Sequence, residues 1–178
     1  MAKLGKAMKW RKLERPYTRI SKYREHSFIR GNPPISISKF DMGDKEEKFN
    51  KRVDLKVKVG LQIRHNAIES ARQIAIRILE KKLGSSFHFK VATYPHHILR
   101  EHALAAVAQA DRFTSGMAHP FGKPVGRAAR LMKNQPIFTV YVNEGNLDTA
   151  KLALDKARFK IPCQCTVIVS ENKLVSKK

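Results

Sequence analysis

Apolar and polar residues alternate over two stretches in the middle of the chain. From Asp54 to Ile63 every second residue is apolar, which predicts one half-buried strand, and Phe87–Val91 repeats the pattern. Between them, apolar residues recur every three or four positions, as on an amphipathic helix. Asn66 and Glu69 have the spacing of a capping box at its start, and Gly84 is a natural stop.

The same succession of elements recurs nearer the C-terminus. A strand is predicted over Gln135–Val142, followed by a helix with Asn146 at its N-cap, and then by a strand over Cys163–Val169 after Pro162. Two strand–helix–strand units indicate an α+β fold, a two-layer sandwich of a mixed sheet with two helices. A ferredoxin-like arrangement is the simplest form of this pattern.

Residues 1–34 show neither period. Ten basic residues and four aromatic ones lie within the first thirty positions. We interpret 1–34 as an extended basic arm that orders on RNA, where rings stack on bases and cations meet phosphates. A solvated, disordered tail is the alternative. Residues 35–172 are then a single α+β domain, and 173–178 a short basic tail.

A long irregular stretch at about 95–125 interrupts the domain. From residue 112 to 130, glycines and prolines are interleaved with basic residues. Glycine lets a backbone approach a phosphate closely, and neighbouring cations can then surround the anion. We therefore predict a functional loop, although neither nucleotide-binding glycine motif is present.

The charge balance narrows the choice of partner. Lys and Arg number 36 against 15 Asp and Glu, a formal net charge of +21. A polyanion would relieve the self-repulsion, and nucleic acid is favoured over an anionic membrane surface. No apolar run has the length of a membrane span, and the N-terminus lacks the apolar core of a secretory signal.

Metal binding and catalysis are both disfavoured. His96, His97 and His102 invite a zinc hypothesis together with Cys163 and Cys165. Adjacent histidines are poor co-ligands on a regular element, however, and one C-x-C pair lacks a second pair. Cysteines two apart on a strand are also poor disulfide partners, which fits a reducing cytosol. We predict no cofactor, no metal and no enzyme; an RNA-modifying or RNA-cleaving enzyme using these histidines is the remaining catalytic alternative.

Seven segments match, in order, the motifs of a known family. They are RPYTR (15–19), FDMG (40–43), QIRHNAIESAR (62–72), YPHHILRE (94–101), ADRFTSGM (110–117), PFGKPVG with AAR (120–130) and IFTVYVN (137–143). The chain resembles the archaeal and eukaryotic large-subunit ribosomal protein ten-e, the counterpart of bacterial large-subunit protein sixteen. The residues of these motifs are closer to the archaeal form of the family than to the eukaryotic one.

The resemblance implies a fold and a place. Family members have an α/β sandwich with a hammerhead-like β elaboration, which implies a strand order other than the ferredoxin-like one. They sit on large-subunit rRNA between the central protuberance and the peptidyl-transferase region, close to bound tRNA. There they help to position rRNA and tRNA, and they do not catalyse peptide transfer.

Candidate binding residues come from both arguments. The basic arm supplies Arg11, Lys12, Arg15, Tyr17, Arg19, Lys22 and Arg24 as rRNA-binding residues. The resemblance adds Arg64, His65, Lys123, Arg127 and Arg130. It also implies a tRNA-facing loop that includes His102, Gln109, Asp111, Arg112, Thr114, Ser115 and Gly116. Within that loop the sequence ALAAVAQA (103–110) departs from the family's glycine-rich pattern and favours partial helix.

The expected partners are large-subunit rRNA, tRNA and neighbouring large-subunit proteins, with no membrane and no homo-oligomer. The expected location is the cytoplasm, on the ribosome. A free-standing RNA-binding assembly factor or RNA chaperone is the alternative function.

Overall fold

The computed structural model describes residues 4–15, 17, 23, 25, 29, 31–101 and 122–172. Three helices lie in these ranges: α1 (Ala7–Trp10), α2 (His65–Leu83) and α3 (Leu147–Arg158). The strands in the same ranges are β1 (Asp41–Gly43), β2 (Lys51–Val57), β3 (Leu61–Arg64), β4 (His88–Val91), β5 (His97–Glu101), β6 (Lys123–Leu131), β7 (Pro136–Val142) and β8 (Cys165–Glu171).

Five strands form the main sheet, in the order β1-β4-β7-β2-β8. All of its neighbouring strands are antiparallel, so the predicted mixed sheet was wrong. The α+β class itself is confirmed. The chain passes from β2 through β3 and α2 to β4, and from β7 through α3 to β8. In each case another strand of the sheet lies between the first strand and the last: β7 separates β2 from β4, and β2 separates β7 from β8. The two connected strands therefore never become parallel neighbours.

This order, without the edge strand β1, is the ferredoxin-like one. The simplest interpretation of the sequence pattern was therefore correct for these four strands, and the different order inferred from the resemblance was wrong. Helices α2 and α3 pack on one face of the sheet and on each other. The main core includes Val53, Leu55, Ile68, Ala71, Ala75, Leu79, Phe89, Phe138, Val140, Ala150 and Leu154.

A second sheet has three antiparallel strands in the order β3-β6-β5. Its presence divides the single strand predicted over 54–63, because β2 ends at Val57 and β3 begins at Leu61 in the other sheet. Val59, expected to face the core, lies in the connecting turn with 65% of its surface exposed. Val57 and Leu61 are both buried, so the alternation continues across the turn and conceals it. The hammerhead-like elaboration stays a prediction.

The start of α2 also differs from the prediction. The helix begins at His65, with Arg64 as its N-cap, and the N-cap side chain makes no capping hydrogen bond. Glu69, predicted to complete a capping box with Asn66, instead binds Arg72 and Ser38. For α3, Asn146 is at the predicted N-cap position but likewise makes no side-chain capping bond.

Strands occupy both ends of the predicted loop at 95–125. β5 covers His97–Glu101, and β6 begins at Lys123. Residues 102–121 lie outside the described residues, as does the basic tail at 173–178.

Candidate nucleic-acid interface

The described part of the N-terminal segment packs on the three-stranded sheet. Trp10, at the end of α1, is only 5% exposed and lies in a small apolar cluster with Leu99 and Ala128. Leu4 and Val125 pack against the same cluster. Within residues 4–15 one aromatic ring therefore anchors the segment to the sheet, while the interpretation of 1–34 as an arm that orders on RNA stays a prediction.

Backbone hydrogen bonds hold the segment at both edges of the sheet. The Gln62 amide in β3 donates to the Arg11 carbonyl over 3.1 Å, and the Ile98 amide in β5 donates to the Tyr17 carbonyl over 3.2 Å. Lys9 pairs with Glu101, with 2.6 Å between Nζ and Oε1. These contacts fix the basic segment on the sheet.

Two buried histidines secure adjacent chain segments. Nδ1 of His97 accepts the Tyr17 amide over 2.9 Å, and Nδ1 of His65 accepts the Ser36 amide over 2.8 Å. Burial is the main cause that lowers the pKa of each ring, with Arg127 and Arg64 adding to the effect at His65. Both rings are therefore neutral at pH 7, which leaves Nδ1 free to accept these bonds. His65, which was predicted to bind rRNA, is only 9% exposed. Its hydrogen bond instead holds the chain at Ser36.

Basic side chains gather on this sheet and on the segment that covers it. Arg11, Lys12 and Arg15 are exposed on the segment. On the strands, Arg130 lies opposite Gln62, and Lys123 lies opposite Glu101. We call this collection the basic surface; its members are Arg11, Lys12, Arg15, Arg64, Arg100, Lys123, Arg127 and Arg130, of which Arg127 and Arg130 project from opposite faces of β6. Residues more than a hundred positions apart in the chain are thus brought to one sheet.

Buried polar atoms without a hydrogen-bond partner concentrate here. Of the eight such side-chain atoms among the described residues, six belong to this region. They are Trp10 Nε1, both amide atoms of Gln62, and the Nε atoms of Arg64, Arg127 and Arg130. Buried polar atoms are ordinarily satisfied, and exceptions tend to mark functional surfaces. Such a surface suits a binding partner that offers polar groups to these atoms.

The structure adds one member that the sequence argument did not name. The Arg100 guanidinium lies 3.6 Å from the centre of the Tyr17 ring, a cation–π contact that fixes both side chains. The residues of His97–Glu101 do not alternate, since two apolar residues are followed by two charged ones, so the strand that carries Arg100 has no periodic signal in the sequence. Arg19, Lys22, Arg24 and the seven residues of the tRNA-facing loop lie outside the described residues.

The two cysteines are free thiols beside this region. Cys165 is the first residue of β8, Cys163 precedes the strand, and their sulfurs are 3.4 Å apart. Their mutual hydrogen bond lowers the pKa of Cys163 and raises that of Cys165. Within the described ranges, no three His, Cys, Asp or Glu side chains converge as metal ligands would. No helix in those ranges has the length and apolar character to cross a membrane.

Comparison with known proteins decides the family. The family model described as ribosomal protein L16p/L10e matches residues 14–168. The chain belongs to this family. It is accordingly a structural constituent of the large ribosomal subunit and not an enzyme. The resemblance found in the seven motifs is thereby confirmed.

The relatives are archaeal proteins, each named large ribosomal subunit protein uL16. The one from Archaeoglobus fulgidus is 42% identical over 93% of this chain and 92% of its own length. The one from Thermofilum pendens is 45% identical over 88% of this chain and 90% of its own. The one from Methanosphaerula palustris is 39% identical over 89% and 94%. The similarity therefore covers nearly the whole chain.

Proposed function

We propose that this chain binds large-subunit rRNA through the basic surface, near the central protuberance and the tRNA sites, and helps to position rRNA and tRNA. The observation that carries the proposal is the burial of Trp10 against Leu99 and Ala128. This contact joins the basic N-terminal segment to the strands that bear the other arginines. Phosphate groups on one RNA strand can then meet cations from both at once.

The loop at 102–121 is proposed to face tRNA. Its flanking residues, Glu101 and Lys123, lie opposite each other in the β5–β6 pair. The chain therefore leaves and re-enters the three-stranded sheet at neighbouring points. Both ends of the loop therefore lie on the sheet that carries the basic surface, so one protein would contact rRNA and tRNA together.

Variants in which three basic residues are replaced by neutral ones test the rRNA proposal. Arg11, Lys12 and Arg15 are changed together to Gln, and affinity for large-subunit rRNA is measured by filter binding. The matched control changes Lys81, Lys82 and Lys156 to Gln; these are exposed residues on α2 and α3. Both variants lose the same net charge. We expect a loss of at least about tenfold for the first variant and a much smaller loss for the control.

Competition separates this proposal from general RNA binding. Excess tRNA or small-subunit rRNA should displace little of the bound large-subunit rRNA. Equal displacement by every RNA, or equal losses in the two variants, would contradict the proposal. Recovery of the protein mainly away from large subunits in a sucrose gradient would favour the assembly-factor alternative.

A further inference from the structure

A row of three aromatic rings lies beside the basic surface. Phe40 and Tyr94 stack with ring centres 5.4 Å apart and planes 23° apart, and Tyr94 meets His96 with centres 4.5 Å apart. Phe40 is partly buried against the main core, which anchors the row. Tyr94 is 41% exposed and His96 is also exposed. The anchored ring is thus followed by two that are open to solvent.

Arg127 joins this row to the basic surface. Its Nη1 lies 3.5 Å from the Tyr94 hydroxyl oxygen, a long contact in which the guanidinium donates. The buried Nε of Arg127 has no hydrogen-bond partner in the structure described. A cation therefore lies at the edge of the aromatic row, in which the Tyr94 and His96 planes are 47° apart, and both are held by strand β6 and the segment before β5.

This arrangement suits an unpaired nucleotide. A base has a planar face that stacks on aromatic rings whatever its sequence, while its phosphate needs a nearby cation. A protein partner would gain from the exposed rings as well, but its acceptors would have to be acidic to match Arg127. The proximity of the basic surface favours RNA.

We propose that an unpaired RNA base stacks on the Phe40–Tyr94–His96 row, with Arg127 contacting its phosphate. The proposal rests on the function proposed above, because it extends the same rRNA-binding surface from phosphate contacts to a base contact. It also separates the two adjacent histidines by role. His97 is buried and holds the chain, whereas His96 presents its ring to the ligand.

The test uses the full chain and two short RNA probes of equal charge. One is a single-stranded oligoadenylate with a 2-aminopurine reporter, and the other is the same backbone without bases. His96→Ala should weaken binding of the oligoadenylate about tenfold and reduce the quenching of 2-aminopurine fluorescence that stacking causes. His96→Phe, which keeps a ring, should bind within about twofold of the parent chain. Neither change should alter binding of the abasic probe.

The outcomes distinguish this proposal from the one it rests on. If His96→Ala binds the oligoadenylate as well as the parent chain, base stacking is wrong, while a loss of rRNA affinity in the Arg11, Lys12 and Arg15 variant would still support the rRNA proposal. If His96→Ala weakens both probes equally, the residue does not act on a base. If RNA affinity is unchanged but incorporation into large subunits falls, the row contacts a protein, which also overturns base stacking.

Discussion

At the scale of single residues, the pair formed by Glu69 and Arg72 replaces the capping interaction that the sequence predicts. Arg72 donates to both carboxylate oxygens of Glu69, over 2.8 and 2.6 Å, and the two side chains are 11% and 9% exposed. Ser38 also donates to the carboxylate, which ties the chain before β1 to α2. The Arg72 guanidinium is the main cause that lowers the pKa of Glu69 to about 2. Glu69 has the sequence spacing from Asn66 that a capping box requires, and it also has the spacing from Arg72 that an ion pair on a helix requires. Only the position of the Arg72 side chain decides which of the two interactions forms.

Replacing Glu69 by Gln should lower the free energy of unfolding by about 3 kcal/mol, because Arg72 would stay buried without its counter-charge. Urea denaturation at pH 7 measures the change. In the parent chain the contribution of the pair is fully present above pH 4.5, the ordinary pKa, and is lost as pH falls toward 2. The Gln variant should lack this part of the pH dependence.

The control for this prediction is Asp148→Asn. Asp148 pairs with Lys151 at the same i,i+3 spacing, but its side chain is 98% exposed, so the substitution should lower the free energy of unfolding by less than about 1 kcal/mol, the part due to its place in the first turn of α3. Equal destabilisation by the two substitutions would show that burial of the Glu69–Arg72 pair does not matter.

At the scale of elements, periodicity identified β2, α2, β4, β7, α3 and β8 and missed the elements that break it. β6 contains Pro124 and Gly126, which are uncommon inside strands. Its pairing with β5 slips next to Pro124, where Leu99 lies opposite Gly126 and Arg100 opposite Pro124. A bulge absorbs the residues that make the sequence look irregular. The strand forms because pairing on both sides outweighs its weak local preference.

The attachment of the N-terminal segment gives a prediction at this scale. Trp10→Ala removes the anchor from the cluster with Leu99 and Ala128, at a cost of about 3 kcal/mol or more. The segment should detach locally, since the remaining contacts, which include Leu4, the Lys9–Glu101 pair and hydrogen bonds at its edges, are weaker than the buried ring. Limited trypsin digestion should then cut after Arg11 and Lys12 at least about tenfold faster.

Met8→Ala is the matched control on the same helix, because Met8 is 83% exposed. Its cleavage rate should equal that of the parent chain. If Trp10→Ala is cut no faster than Met8→Ala, the buried ring does not hold the segment in place.

At the scale of the whole molecule, the net charge of +21 predicts binding that depends strongly on salt. The helices cover the core face of the main sheet, and the second sheet with its N-terminal segment carries the basic surface. If about eight phosphates are neutralised, log affinity for rRNA should fall with log salt at a slope of roughly −6 to −7. Binding isotherms over a series of salt concentrations measure the slope.

The variant with Arg11, Lys12 and Arg15 changed to Gln should flatten that slope by about 2 units, from three lost phosphate contacts. The variant with Lys81, Lys82 and Lys156 changed to Gln should keep the slope of the parent chain. Equal flattening in both would mean that overall charge, rather than the basic surface, governs binding.

The sequence by itself determined the α+β class and the family, and its charge predicted a polyanionic partner; it left the strand order open between the ferredoxin-like one and another implied by the resemblance. Each of these conclusions depends on local periodicity, ordered motifs or composition, which can be identified without knowing which residues are in contact. It also located basic and aromatic residues in the N-terminal segment, in the motif at 62–72 and in the stretch at 120–130, although not their arrangement.

Only the tertiary structure decided the rest. The second sheet, the burial of Trp10 and the row of Phe40, Tyr94 and His96 all depend on residues that are distant in the chain. Tyr17 and His97, for example, are 80 positions apart and share a hydrogen bond. The free energy of such contacts comes from burial and from satisfied polar groups, and both depend on which surfaces meet. No pattern within a short window of sequence contains that information, so the arrangement of these residues required the pairing of the sheets.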